Sequence, residues 1–134
     1  GPDYGGFGGA PKFPHPANVE ALLSGWRATA EPVEPDLQAL YMVTLTLTRT
    51  ATGGLYDQLG GGFFRYSVDQ RWTIPHFEKM LYDNTSLLAV YSDGYAATGE
   101  ALFGRVASET VELTCPCSTK RSSTSRLTKS GRLA

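Results

Sequence analysis

The chain has 134 residues, about the length of one average domain, and a formal net charge of −1. This balance excludes a nucleic-acid-binding protein that relies on a uniformly basic surface. Hydrophobic residues at 41% and charged residues at 19% are typical of a globular chain, neither disordered nor fibrous. No apolar run approaches the roughly eighteen residues needed to cross a bilayer, and no signal peptide is recognisable. The sequence therefore favours a cytoplasmic protein without membrane contact.

The charge is divided unevenly along the chain. Residues 1–114 contain seven basic and all thirteen acidic residues, a formal charge of −6, whereas residues 115–134 contain five basic residues and no acid. The second segment has eight Ser or Thr residues and no hydrophobic periodicity, so it cannot bury enough apolar surface to offset its ordering entropy. We interpret 1–114 as the folded segment and 115–134 as a basic tail that is disordered or frame-shifted. A tail that binds nucleic acid or an acidic partner ranks below this interpretation, and nucleic acid is not an expected partner.

Two helices are predicted after an opening loop. Residues 5–16 hold too many glycines and prolines for a regular element, and Pro16 suits the first position of a helix, where its missing N–H costs little. A second helix is predicted to begin near Asp36 and to end at Gly53, although the last part of its sequence also alternates like a strand. Apolar residues at three- and four-residue steps define the buried face of the first helix; they are Val19, Leu22, Leu23 and Trp26.

A glycine-aromatic loop covers residues 55–77. Within it, the runs 63–66 and 71–73 are rich in aromatic residues and are separated by polar turn residues. This pattern predicts a short β-hairpin, or an extended loop that imitates one.

A third helix is predicted at about 78–97, closed by Gly99, and a fourth begins near Glu100. The fold class is therefore mainly α, with helical hairpins whose connecting loops gather at one end. Each hairpin buries its apolar face only against the next one. Exposed faces on the terminal helices consequently predict self-association.

The densest group of chemically useful side chains lies in residues 72–84. His76 is placed at the junction between loop and third helix, and an imidazole can transfer protons near neutral pH. Glu78 falls in the predicted first helical turn, where the helix dipole favours an ionised carboxylate. We take His76 and Glu78 as candidate catalytic residues; a loop histidine and a helix-stabilising acid are the alternative. Asp83 follows Lys79 by four residues, so an ion pair within the helix is enough to explain it.

Aromatic rings and hydrogen-bonding groups accumulate in the same loop. Such a combination suits sugar rings, which have apolar C–H faces and polar edges. The candidate lining residues of a sugar-binding site are Asp57, Arg65, Tyr66 and Trp72. Two alternatives stay open: the rings close the end of the helical core, and Asp57 and Asp69 serve only to stabilise turns.

Several motifs with known chemistry are missing from the sequence. There is no Walker-type phosphate loop and no dinucleotide-binding G-x-G-x-x-G, so we expect no nucleotide cofactor. His15 and His76 are the only histidines and do not share a helix, so no metal site is expected. Cys115 and Cys117 form C-x-C rather than C-x-x-C and lie in the tail, so neither a redox nor a metal role is expected.

Several strings in the folded segment resemble one family. They are 5–14 (GGFGGAPKFP), 56–63 (YDQLGGGF), 65–67 (RYS), Trp72 and 75–84 (PHFEKMLYDN). Over about residues 3–112 the chain resembles a family of large thioredoxin-domain-containing proteins that has spermatogenesis-associated and bacterial members. The resemblance implies that this segment follows a thioredoxin-like domain and begins an (α/α)6 toroid. Such a toroid is similar to those of N-acylglucosamine 2-epimerase, cellobiose epimerase and six-hairpin glycosidases.

The resemblance also implies a function. In related toroid enzymes the loops between paired helices line a sugar-binding cleft, and His and Glu side chains transfer protons. It therefore implies a carbohydrate ligand, with His76 and Glu78 as general acid and base. It further implies that this chain is a fragment, which we do not expect to be active alone. The alternative function is non-catalytic: a helical scaffold that presents the thioredoxin-like domain to partner proteins.

Overall fold

The computed structural model of the chain describes residues 2–29 and 36–114. Within them the fold is mainly helical, as predicted, and the only β-pairing consists of three isolated antiparallel bridges. The predicted basic tail, 115–134, lies outside the described residues. The four helices are α1 (Pro16–Thr29), α2 (Leu37–Thr52), α3 (Leu81–Thr98) and α4 (Ala101–Thr114).

Local signals set most helix ends. The Asp36 side chain caps α2 by accepting a hydrogen bond from the Ala39 N–H at 3.0 Å, which satisfies a donor that the first turn leaves free. Gly53 ends this helix, and Gly99 closes α3 in the left-handed conformation at φ 72°. The predicted positions of Pro16, Asp36, Gly53 and Gly99 are therefore confirmed.

The strand-like end of α2 is helical, and its threonine hydroxyls bond within the helix. Thr44 and Thr50 donate to the carbonyl oxygens of Leu40 and Thr46 at 2.9 and 2.7 Å. This bonding to the preceding turn satisfies each hydroxyl without interrupting the helical ladder.

The predicted start of α3 is wrong by about three residues, since the helix begins at Leu81 rather than near residue 78. The preceding backbone is bonded to the glycine-aromatic loop instead: Arg65 N–H donates to the Glu78 carbonyl at 2.7 Å, and His76 N–H donates to the Tyr66 carbonyl at 2.9 Å. These bonds hold the segment extended. Glu78 therefore lies before the helix, and the expected stabilisation by the first-turn dipole does not apply to it.

The helices pack as two hairpins, α1 with α2 and α3 with α4. The hairpins meet through α1 against α3 and α2 against α4. This confirms the predicted helical hairpins and is consistent with part of an (α/α) toroid. The core combines aliphatic and aromatic side chains from all four helices, among them Val19, Leu23, Val43, Leu47, Tyr91, Phe103 and Val106.

The two long loops meet at one end of the hairpins. Lys12 in the first loop pairs with Ser67 in the second, with backbone N···O distances of 2.6 and 2.8 Å. The Tyr56 hydroxyl in the second loop donates to the Glu109 carboxylate on α4, which fixes the loop against the last helix. Burial, assisted by Glu109, raises the pKa of Tyr56 well above its usual range.

Residues 63–75 form the extended loop that imitates a hairpin. Ser67 and Pro75 are bridged, and Val68 N–H donates to the Ile74 carbonyl at 2.8 Å. Asp69 closes the turn by accepting hydrogen bonds from the Ser67 hydroxyl and from the N–H groups of Thr73 and Ile74. Burial alone would raise the pKa of Asp69, but these hydrogen bonds outweigh it and hold that pKa well below its usual range.

Candidate functional site

Three of the predicted site residues meet at the exposed loop end. The His76 Nδ1 atom lies 3.8 Å from Glu78 Oε2, and one guanidinium nitrogen of Arg65 lies 3.4 Å from the same oxygen. The side chains of His76 and Glu78 are 48% and 43% exposed, so a ligand can reach both. A single carboxylate is thus shared by an imidazole and a permanent cation, an arrangement that can hold or pass a proton.

The His76 ring is oriented by stacking on Tyr66. The ring centroids are 4.7 Å apart and the planes differ by 14°. Tyr66 in turn contacts Phe13 from the first loop at 4.8 Å. One face of the imidazole is therefore covered, and the ring is presented to a ligand by its nitrogen atoms and its other face.

Asp57 lies apart from this group and binds Lys79. The Lys79 ammonium is 2.7 Å from Asp57 Oδ2 and also donates to the Gly61 carbonyl at 2.9 Å. Lys79 therefore does not make the predicted ion pair with Asp83, because its side chain turns toward the glycine loop. The position of Asp57 fits the alternative in which its carboxylate stabilises a turn.

Trp72 is fully buried in the core, so it offers no face to a ligand. Its indole N–H donates to the Tyr4 carbonyl at 3.0 Å, and the Lys12 ammonium lies 4.7 Å from the ring centroid. Phe63 is buried beside Tyr91 in the same way. These two rings therefore close the end of the helical core, the alternative that the sequence left open.

Sequence reasoning missed two residues that hold the site in place. Asn84 is buried at the start of α3, where its side chain bonds both the N–H and the carbonyl of Phe63, at 2.6 and 3.0 Å. Lys12 is buried and donates to the carbonyl oxygens of Gly5 and Gln70; burial lowers its pKa, and Asp69 partly opposes this. A lysine and an asparagine in these segments carry no sequence signal of burial, since both residue types are usually exposed.

Replacing Asp57 with asparagine should reduce stability near pH 7 by about 1–2 kcal/mol, because a charge-assisted hydrogen bond to Lys79 is lost. The Gly60 N–H and the Lys79 ammonium lower the pKa of Asp57 from 3.8 to about 2. The folded state thus holds the proton less tightly than the unfolded state. The stabilisation is complete above about pH 4 and is lost as the pH falls through about 2.

Urea unfolding of the wild type and of Asp57→Asn between pH 2 and 7 tests this expectation. The stability difference should shrink to a small part of its neutral-pH value at pH 2. Asp3→Asn, which also removes one exposed carboxylate, is the control and should change little. A difference that is independent of pH would show that the Asp57–Lys79 pair does not stabilise the fold.

The described residues include neither a membrane-spanning helix nor a group of metal-binding side chains. None of their helices combines the length and the apolar character that a bilayer-crossing helix needs. Across 2–29 and 36–114, no three His, Cys, Asp or Glu side chains are grouped so that they could hold a metal ion.

Comparison with known proteins identifies long relatives that contain a similar stretch. The chain is 44% identical over 108 residues to spermatogenesis-associated protein 20 of Rattus norvegicus and 43% identical over 108 residues to that of Homo sapiens, in each case over 78% of this chain. An uncharacterised Caenorhabditis elegans protein is 47% identical over 94 residues. The aligned stretch covers 13% of each of these relatives. No family model matches the chain.

Proposed function

We propose that this chain supplies one edge of a carbohydrate site in a larger thioredoxin-domain-containing protein with an (α/α) toroid. In this proposal His76 and Glu78 perform general acid/base chemistry of the epimerase or glycosidase type, and Arg65 and Tyr66 line the site. The observation that carries it is the exposed His76–Glu78 pair, 3.8 Å apart, with Arg65 on the same carboxylate.

The geometry suits proton transfer to and from a sugar. Glu78 can hold the imidazole in one orientation while the free nitrogen faces a hydroxyl or a C–H group of the ligand. Arg65 offers further N–H donors for hydroxyl oxygens. The resulting site is open to solvent on one side, so further segments of the longer protein would have to exclude water during catalysis.

Binding by this chain can be tested with two sugars, cellobiose and N-acetylglucosamine. In a ¹H–¹⁵N NMR titration, we expect the amide signals of Tyr66, His76 and Glu78 to shift. His76→Ala and Glu78→Gln should each weaken binding by about tenfold, the effect of losing one or two hydrogen bonds. In the longer protein, turnover should fall by about 10²–10⁴-fold for either variant.

His15→Ala is the control, because it removes the other histidine of the chain. It should leave sugar binding unchanged. If His76→Ala and Glu78→Gln bind and turn over sugar like the wild type, the acid/base assignment is wrong.

A non-catalytic scaffold is the second candidate, and exposed apolar side chains beside the site favour it. Phe77 is 80% exposed, and Ile74 and Leu81 are exposed too. Such a surface is typical of a protein interaction site. If Phe77→Ser abolishes copurification of a partner with the longer protein while His76→Ala does not, the scaffold function is favoured.

A further inference from the structure

Three short stretches of the two loops pair with each other, and one of them leads directly into His76. Lys12 is bridged to Ser67, and Ser67 is bridged to Pro75. Both bridges are antiparallel, so a step forward along one stretch matches a step backward along the next. The three stretches therefore form a small antiparallel ladder, which we call the loop ladder.

Phe13, Tyr66 and His76 are neighbours across the loop ladder. Each of the three lies one position from a bridged residue, in the direction that antiparallel pairing matches. The His76 N–H donates to the Tyr66 carbonyl at 2.9 Å, as expected for residues that lie opposite each other. Side chains directly opposite in a ladder share a face and contact each other. The three rings consequently form a row with Tyr66 in the middle.

The rings of this row are in contact. The Tyr66 centroid lies 4.8 Å from that of Phe13 and 4.7 Å from that of His76, within the usual range for aromatic pairs. Phe13 is 36% exposed, so its ring lies outside the helical core. Tyr66 is thus held between a ring of the first loop and the imidazole.

Stacking places the imidazole before Glu78 can bond to it. The Nδ1 atom of His76 lies 3.8 Å from the Glu78 carboxylate, which is longer than a hydrogen bond. Without the ring of Phe13, Tyr66 could turn into the vacated space, and the imidazole would lose its fixed neighbour. Catalysis is sensitive to such a change, since a misplacement of about 1 Å can cost about 10²-fold in rate.

We infer that Phe13 is a positioning residue of this site, which sets the orientation of the His76 imidazole through Tyr66. Phe13 acts without touching the sugar. The inference deepens the proposed function, and its effect on turnover rests on that function. The orientation of the imidazole does not, because it can be measured on the chain without any sugar.

Phe13→Leu removes the ring and keeps an apolar side chain, whereas Phe13→Tyr keeps the ring. In NMR spectra of the chain without sugar, the Tyr66 ring should shift the imidazole proton signals of His76, and the two rings should give NOEs. We expect Phe13→Leu to move these signals toward those of an unstacked histidine and to weaken the NOEs. Phe13→Tyr should preserve both, because it restores the stacking partner of Tyr66.

Tyr66→Leu decides whether Phe13 acts through Tyr66. This substitution should remove the stacking shift by itself. Adding Phe13→Leu to it should change the His76 signals no further, since residues that act through one another are not additive.

The longer protein provides a second readout, with cellobiose as the substrate. Phe13→Leu should lower turnover by about tenfold and change KM by less than about twofold, because the imidazole is misplaced while the contacts to the sugar remain. Phe13→Tyr should turn over cellobiose like the wild type.

Tyr82→Leu is the control, because it removes another exposed ring, at the start of α3. It should leave the His76 signals unchanged. Unchanged His76 signals in Phe13→Leu overturn the inference, as does a Phe13→Leu effect that persists undiminished in the Tyr66→Leu background. Phe13→Met is a second variant without the ring, so one misfolded protein does not prevent a decision. If the His76 signals respond as expected but the wild type neither binds nor turns over sugar, the proposed function fails and the positioning of the imidazole stands.

Discussion

Trp72→Ala is expected to lower the free energy of unfolding by about 3–5 kcal/mol, the range for removing a large aromatic side chain from a core. Trp72 is 0% exposed and lies where the two loops close over the helices. The substitution would leave a cavity beside Lys12 and would remove the donor to the Tyr4 carbonyl. The first loop would then lose the hydrogen bond and the ring contact by which Trp72 holds it to the second.

Trp26→Ala is the matched control, because Trp26 only packs on the edge of the core and is partly exposed. We expect it to cost about half as much or less, in proportion to the smaller area that it buries. Chemical denaturation monitored by far-UV circular dichroism measures both variants. Similar losses for the two tryptophans would contradict the assignment of Trp72 to the centre of the loop closure.

Gly54→Ala is expected to destabilise the fold by about 2–3 kcal/mol, the usual cost of forcing an extra methyl group into a packed site. A Cβ atom at Gly54 would lie 2.3 Å from the Thr73 carbonyl oxygen, which belongs to the backbone and cannot rotate away. The Gly54 N–H also donates to the Trp72 carbonyl at 2.6 Å, so moving the two segments apart would break a hydrogen bond as well.

Gly25→Ala provides a control of opposite sign. Gly25 lies inside α1, and a Cβ atom there would meet nothing within 4 Å. Alanine favours a helix over glycine by about 1 kcal/mol, so this variant should be slightly more stable than the wild type. Thermal unfolding of the two variants should therefore shift in opposite directions. If both substitutions lower the melting temperature equally, the close approach of the Thr73 backbone is not the reason why alanine destabilises position 54.

The helix ends could be predicted because their causes are local. Pro16, the Asp36 cap and the closing Gly99 each act within one turn of the helix that they bound. The start of α3 could not be predicted in this way, since the backbones of His76 and Glu78 bond to Tyr66 and Arg65, which lie ten or more positions earlier. Only the tertiary arrangement decides that these residues stay extended.

The candidate site was predictable to a similar extent. The short spacing of His76 and Glu78 brings them together in the structure, and the loop adds Arg65 and Tyr66. Trp72 is a residue type that often stacks on ligands, but its burial depends on the first loop, where its partner Tyr4 is 68 positions away in the chain. The amino-acid sequence of the loop does not distinguish an aromatic ring that stacks on a sugar from one that packs against another loop.

The hydrogen bond from the Lys12 ammonium to the Gln70 carbonyl joins two segments that are 58 positions apart in the chain. Contacts of such separation form late in folding, because the entropy cost of closing a long loop precedes the free energy gained from the contact. A synthetic peptide of the glycine-aromatic loop with the following helix would lack the first loop, and with it the ring of Phe13 on which Tyr66 rests. The orientation of the imidazole is thus a property of the assembled helix pairs, and ligand affinity at His76 would report whether the whole unit has folded.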